Sequence, residues 1–300
     1  LFFWVARMIM ISEYLFDKVP FNYVYLHGII RDEQGRKMSK SLGNSPDPID
    51  LIEKYGADAI RFSLLYNTSQ GQDILFSEKL LEMGANFSNK VWNVSKFVLQ
   101  NLEDFDTSVS VLDLDFKLED RWILSKLQKT AKTVNGNLDN YELDMAAKAT
   151  YEFFRGEFCD WYVETAKPRV YGEDENDKKT AQWVLRHVLD NGLKLLHPFM
   201  PYITEELWQK VKMDGESIML ADFPKSDDSL VNDDAEKEFD YLKEVITAIR
   251  NIRGEVNVPP SKKIEIIFKT KDNSEKVILE ENSKILDKLS NVEKYAVDND

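Results

Sequence analysis

Residues 35 to 44, Gly35-Arg36-Lys37-Met38-Ser39-Lys40-Ser41-Leu42-Gly43-Asn44, place three cations and two hydroxyls within six positions and flank them with glycines. Glycine tolerates positive φ and other backbone angles closed to residues with a Cβ, so the stretch reads as a loop able to swing. Ammonium groups supply point charge, and hydroxyls and amides supply donors. Together they suit a polyanion. The bland alternative is a solvated charged turn.

A second candidate lies on residues 77–102. Leu80, Phe87, Val91, Val94, Val98 and Leu102 fall on one helical stripe. Asn86, Asn89, Asn93 and Lys96 lie opposite it, with Lys90 and Phe97 on a flank. Amides, cations and an aromatic ring on one face suit unpaired bases, which stack on rings and hydrogen-bond at their edges. The alternative is a solvated face with Phe97 packed on a neighbour.

Several elements must position these groups. Residues 1–16 are apolar, with Phe2, Val5, Ile9 and Ser12 or Glu13 at helical spacing. Arg7 and Glu13 interrupt the run and it is too short to span a bilayer, so a buried helix is expected. Val19-Pro20 ends it. Tyr23-Val24-Tyr25-Leu26 is expected to be a short buried strand ending at His27-Gly28. Ile29-Ile30 forms a second strand, and Asp32-Glu33 turns into the loop. Asp47-Pro48 starts a helix that stops at Gly56, and Ala57 opens another. Asn67 to Asp73 is a polar break.

From Ser77 to about Lys212 the pattern is helix upon helix: 77–102, then 117–139 and 141–167 separated near Asn135-Gly136-Asn137, then 176–196, and a last one from Thr204. Trp122, Phe154, Trp161, Trp183 and Trp208 sit at core spacing. Residues 222–236 read as an acidic linker and Glu238–Arg253 as a helix broken at Val258-Pro259-Pro260. Lys263 to Phe268 alternates as a strand, followed by a helix over about 274–290 and a weak strand over 294–297. The fold class expected is mainly α: the end of a doubly wound nucleotide-binding domain, an all-α helix bundle, then a small α/β unit. The expected domains are 1–75, 76–225 and 226–300.

Three hundred residues suit two or three domains. The net charge of −14 argues, taken alone, against nucleic acid, although a large RNA needs only the contacting face to be basic. Cys159 is the single cysteine, which excludes a disulfide framework and suits a reducing, cytoplasmic setting. His27, His187 and His197 are scattered without metal-ligand spacing, so no metal site is expected.

Lys37-Met38-Ser39-Lys40-Ser41, after Val24-Tyr25-Leu26-His27-Gly28 and before Gly43-Asn44, resembles the signature loop of class I aminoacyl-tRNA synthetases. The valine-specific branch of that family resembles this chain over essentially its whole length. The further blocks are Phe2-Phe3-Trp4-Val5-Ala6-Arg7-Met8, Gly71-Gln72-Asp73-Ile74, Phe158-Cys159-Asp160-Trp161-Tyr162, Leu196-His197-Pro198-Phe199-Met200-Pro201 and Thr204-Glu205-Glu206-Leu207-Trp208.

The resemblance implies a ligase that takes ATP with Mg2+, valine and tRNA(Val), with no bound metal or organic cofactor and no covalent enzyme intermediate. Catalysis would be placement plus charge stabilisation of phosphate oxygens. It assigns Lys40 to the phosphates in the transition state and Lys37 to support of the loop or the pyrophosphate. Ser39 and Ser41 become helper donors, and Met38 an apolar anchor. His27 and Gly28 match the segment near the adenine, Trp4 the amino-acid pocket, and Phe97 a base-stacking position in the anticodon module. For Trp4 a core position, and for His27-Gly28 a plain strand-end turn, stay open. The family's first-half motif, editing insertion and coiled-coil arm have no counterpart here. The expectation is therefore a later part of a longer protein, monomeric, cytoplasmic and inactive alone. A freestanding RNA-binding module that has lost catalysis, or a piece of an isoleucine or leucine relative, is the alternative.

Overall fold

Apolar stripes at helical spacing through the middle of the chain become helices whose buried faces meet in one core running from Phe62 to Leu286. The computed structural model describes residues 3–211, 215–259, 261–270 and 272–298. Phe2 of the expected first helix, its neighbour Leu1, the helical end near Lys212 and the break at Pro260 lie outside them.

The first part carries the loop. Helix α1 (Trp4–Phe16) forms as its periodicity requires, but it has no buried residue, with Met10 69% and Tyr14 89% exposed. The expected burial is not observed. Periodicity fixes where side chains point, whereas burial needs an opposing surface, and no described residue supplies one. Nor is Tyr23 to Leu26 a buried strand: the segment forms no ladder, and Tyr23 is 72% exposed. A strand exists only through its ladder, and the ladder here begins one step later. Strands β1 (Ile30–Arg31) and β2 (Ile74–Leu75) pair in parallel, Ile30 opposite Ile74. Helix α2 (Pro48–Tyr55) starts as expected, with the Asp47 carboxylate accepting the Ile49 amide at 2.8 Å, and α3 (Ala57–Asn67) follows Gly56.

Helix α4 (Glu78–Gln100) packs on α3, with the Phe87 ring 4.9 Å from that of Phe62, and it buries Leu81, Phe87, Val91, Val94 and Val98. Helix α5 (Leu118–Asp139) runs straight through the expected break at Gly136. One glycine costs a helix about 1 kcal/mol, which burial of Ala131 and Val134 outweighs. The helix ends instead in a Schellman turn: Glu142 N–H donates to Asn137 O at 2.8 Å and Tyr141 N–H to Leu138 O at 3.1 Å. Tyr141 occupies the left-handed position of that turn, at φ 60°. Glycine is favoured there, and an L-residue costs about 1–2 kcal/mol.

Helix α6 (Leu143–Tyr151) widens to i→i+5 bonding over Glu152–Tyr162 and returns to α7 (Val163–Val170). Helix α8 (Glu175–Leu196) is capped by Asp174. Helix α9 (Pro201–Lys210) starts at Pro201 rather than Thr204, because proline at the first turn gives up no needed donor. Its first amides are caught by another helix: the Asp58 carboxylate accepts Ile203 N–H at 2.7 Å and Tyr202 N–H at 3.3 Å. Burial raises the Asp58 carboxyl above its ordinary range despite those bonds. Helix α10 (Asp233–Glu255) begins inside the expected linker, where Asn232 accepts the Ala235 amide at 2.9 Å and acidic residues follow in the first turn.

The last unit is β3 (Ile264–Lys269), α11 (Asn273–Glu281), α12 (Ser283–Ser290) and β4 (Val292–Asp298), with the strands parallel and Ile266 opposite Tyr295. The expected single helix is two, divided at Asn282. The buried Arg253 guanidinium fastens this unit to α10 by donating to the carbonyls of Pro259 (2.8 Å), Lys262 (2.6 Å) and Ser290 (3.3 Å).

The bundle's polar centre is Arg169, 7% exposed. Its two terminal nitrogens grip both Asp120 oxygens at 2.8 Å, and its Nε donates to Asp177 at 2.7 Å. Tyr162 donates its hydroxyl to Asp120 at 2.7 Å, and Glu119 accepts from Arg169 at 3.2 Å. Removing one member of a buried charged set strands the others. Arg169→Met should therefore destabilise the chain by about 3–5 kcal/mol in denaturant titrations. A loss below about 1 kcal/mol would place the network outside the cooperative core.

Candidate functional site

The signature loop begins at the end of β1. Arg31 bridges to Lys37 across a tight turn in which Asp32 N–H donates to Arg36 O at 2.9 Å and Gly35 takes φ 77°. Asp32 is the organiser. Its carboxylate accepts the Arg36 amide and Nε at 2.8 Å each, the Gln34 amide at 3.1 Å and Asn44 Nδ2 at 2.9 Å. Asn44 in turn accepts the Ser39 amide at 2.9 Å and donates to Lys37 O at 3.3 Å. Beyond Ser39 the chain makes one 3-10 turn, Lys40–Leu42, capped by the Ser39 hydroxyl and closed by Gly43 at φ 61°.

That scaffold brings Lys37, Met38, Ser39, Lys40 and Ser41 into one turn. Lys37, Lys40 and Ser41 are exposed, while Met38 and Ser39 are half-buried. The Ser39 and Ser41 hydroxyl oxygens stand 3.2 Å apart. Among the described residues, the ion pairs of this region are Arg31–Asp73, Arg36–Asp32 and Lys54–Glu78, and none takes either loop lysine. The hydrogen bond from Asn44, then those from Arg36, hold the Asp32 carboxyl down at about 2. Sequence reading treated Asp32 as a simple turn residue and Asn44 as a flank. An acidic residue just before a Gly-closed turn was the available signal.

His27 and Gly28 sit at the entrance to β1. His27 is exposed, with Nδ1 2.6 Å from the carbonyl oxygen of Gly28. Gly28 lies so close to the 71–74 block that a Cβ on it would stand 1.7 Å from Gln72 O. Asp73 completes this joint by accepting the Ile29 amide at 2.8 Å and Arg31 Nε at 2.5 Å. Trp4 is not brought to the loop. It is 64% exposed on α1, edge-on to Phe3, with the Arg7 guanidinium 5.8 Å from its ring, so among the described residues it is neither a core residue nor enclosed by a pocket.

On α4, Asn86, Asn89, Asn93 and Lys96 are all exposed on one side. Lys90 is paired with Asp160 at 2.7 Å. Burial would lower its ammonium, but the bond and charge of Asp160 outweigh that and raise it. Phe97 is half-buried, packed on the core, with Tyr171 edge-on at 6.4 Å and the Lys167 ammonium 5.7 Å from its ring. Part of the ring is thus spoken for. Among the described residues the helix offers exposed amides and two exposed lysines without an ion pair, Lys79 and Lys96, with Phe97 at their margin.

Two family models match: "tRNA synthetases class I (I, L, M and V)" over residues 1–77 and "Anticodon-binding domain of tRNA ligase" over residues 120–268. The architecture agrees. An Agrobacterium radiobacter LeuRS–tRNA–LeuAMS ternary complex superposes with TM-score 0.60 over 76% of this chain and 27% of that one, at 23% identity. Mycobacterium tuberculosis methionyl-tRNA synthetase with methionyl-adenylate gives TM-score 0.52 over 60% of this chain and 36% of that one, at 26% identity. Valine–tRNA ligase of Fusobacterium nucleatum is 55% identical over 100% of this chain and 34% of its own length. Over its whole length the chain is thus similar to valine–tRNA ligases, and its first 77 residues match the class I tRNA synthetases. It spans about a third of the length of the curated relatives it matches.

The depressed Asp32 carboxyl has a signed consequence. A group whose folded value lies below its ordinary 3.8 contributes stability fully present above that value and lost as pH falls through about 2. The loop should therefore keep its turn at pH 3. The side-chain carboxyl of Asp32, followed by NMR, should titrate near 2, and Asn44→Ala should move that midpoint upward. An ordinary midpoint in the unmodified chain would mean that the brace does not exist in solution.

Proposed function

We propose that this chain is the part of a valine–tRNA ligase that supplies the ATP signature loop and the anticodon-binding module. The ligase activates valine with Mg-ATP and passes it to tRNA(Val). The observation that carries the reading is the loop itself: two ammonium groups and two hydroxyls held in one turn by Asp32 and Asn44, with no carboxylate spent on the lysines. The donor set fits a polyphosphate, and the pyrophosphate leaving group needs such charge as its bond to the α-phosphorus breaks.

In this reading Lys40 meets the phosphate oxygens in the transition state, and Lys37 holds the pyrophosphate side. Ser39 keeps the turn through its bond to Leu42 N–H. His27 and Gly28 lie under the adenine, and Trp4 lines the valine pocket once the rest of the ligase covers the apolar face of α1. The face of α4 reads the anticodon, with Asn86, Asn89, Asn93, Lys90 and Lys96 at base edges and backbone and Phe97 as the stacking ring. The chain divides near residues 75 and 225 into nucleotide-binding, anticodon-binding and junction units. We place the enzyme in the cytoplasm as a monomer.

The test is Lys40→Ala in a full-length valine–tRNA ligase containing this segment. Its kcat for valine-dependent exchange of pyrophosphate into ATP should fall about 100-fold, the scale of losing one preorganised charge contact, with KM for valine held. An unchanged kcat with a raised KM for valine would overturn the assignment.

A further inference from the structure

We infer that Tyr141, at the tip of the α5–α6 hairpin, is a positioning residue that holds the His27–Gly28 segment in place for the reaction proposed above. This inference rests on that reading for its catalytic part only. Three observations meet at this residue. The first is its backbone: Tyr141 sits at φ 60° in the one position of a Schellman turn that favours glycine. A bulky residue in the left-handed region is an outlier, and such outliers concentrate where a side chain has work that the backbone conformation alone does not require.

The second is what the ring touches. Tyr141 lies with its centroid 5.6 Å from the Tyr23 ring and 6.3 Å from the Tyr25 ring. Both contacts are tilted aromatic pairs in the distance range where such pairs attract. Glycine at 141 would relieve the backbone and lose both contacts.

The third is where that contact leads. Tyr25 is two residues before His27, and Gly28 is jammed against Gln72 at the entrance to β1, from which the signature loop springs. Residues 23–28 form no strand and have no ladder of their own. The segment is therefore held at one end by the Gly28–Gln72 joint and at the other by the tyrosine contact from the helical bundle. The helix that follows the turn supports the joint: Asp144 of α6 accepts a hydrogen bond from Ser69, beside the 71–74 block, at 3.3 Å.

Tyr141→Gly and Tyr141→Phe separate the roles. In this chain, Tyr141→Gly should leave the melting temperature equal or higher while amide exchange over residues 19–31 speeds up roughly fivefold. Tyr141→Phe should restore the slow exchange. Unchanged exchange in Tyr141→Gly would overturn the inference, showing the ring to be a bystander. In the full-length ligase, Tyr141→Gly should lower kcat for valine-dependent pyrophosphate exchange about tenfold, with KM for tRNA unchanged and Tyr141→Phe near normal. Faster amide exchange with kcat untouched would overturn the positioning role. A parent enzyme with no valine-dependent exchange at all would sink the proposed function, while the amide-exchange result would still decide whether Tyr141 holds the segment.

Discussion

A loop that leaves its lysines free of carboxylates, as the proposed phosphate-binding role requires, has to be held by something other than its cations. That constraint shapes the first part of this molecule. One carboxylate, Asp32, accepts bonds from the Gln34 and Arg36 amides, the Arg36 side chain and Asn44, and so fixes the turn before the signature residues. Asn44, beyond those residues, returns to bind Ser39 N–H and Lys37 O. The lysines hang from a frame whose acidic member is already engaged by an arginine. A carboxylate placed instead beside Lys40 would neutralise an ammonium that the loop leaves exposed.

Several lysines of the helical bundle are treated in the opposite way. Lys117, Lys126, Lys129, Lys178 and Lys243 are all paired with carboxylates of the bundle. Most of these pairs are partly exposed and contribute little stability each. They nevertheless account for how a chain with net charge −14 carries its cations without presenting a broadly basic surface. The exposed amide face of α4 fits that economy, since amides recognise base edges without adding charge. Rigidity comes from below, where Arg169 joins three acidic residues of α5 and α8 inside the bundle.

Much of this was legible in the sequence, and the parts that were not share a cause. The helices from Glu78 to Leu196 followed from their stripes, because an amphipathic helix encodes its own buried face. The signature loop was legible as chemistry from its residue types, yet its brace was not, because Asp32 and Asn44 lie 12 residues apart and meet only in the folded turn. The same holds for Asp58, which caps a helix that starts 143 residues later at Pro201. Helix α1 and Tyr23 to Leu26 were misjudged in the other direction. Their apolar residues demand burial, but burial is a property of a pair of surfaces, and one chain segment states only its half. Tyr141 was invisible to pattern because glycine, not tyrosine, marks such turns.

The account stands on the claim that residues 37–42 form a preorganised polyphosphate cradle. Titration of the isotopically labelled chain with inorganic pyrophosphate, followed residue by residue by NMR, tests it most directly. Saturable shifts should concentrate at Lys37, Ser39, Lys40 and Ser41, and Asn44→Ala should weaken them. Shifts of equal size at other exposed lysines such as Lys96, Lys179 and Lys284, or none at the loop, would contradict it.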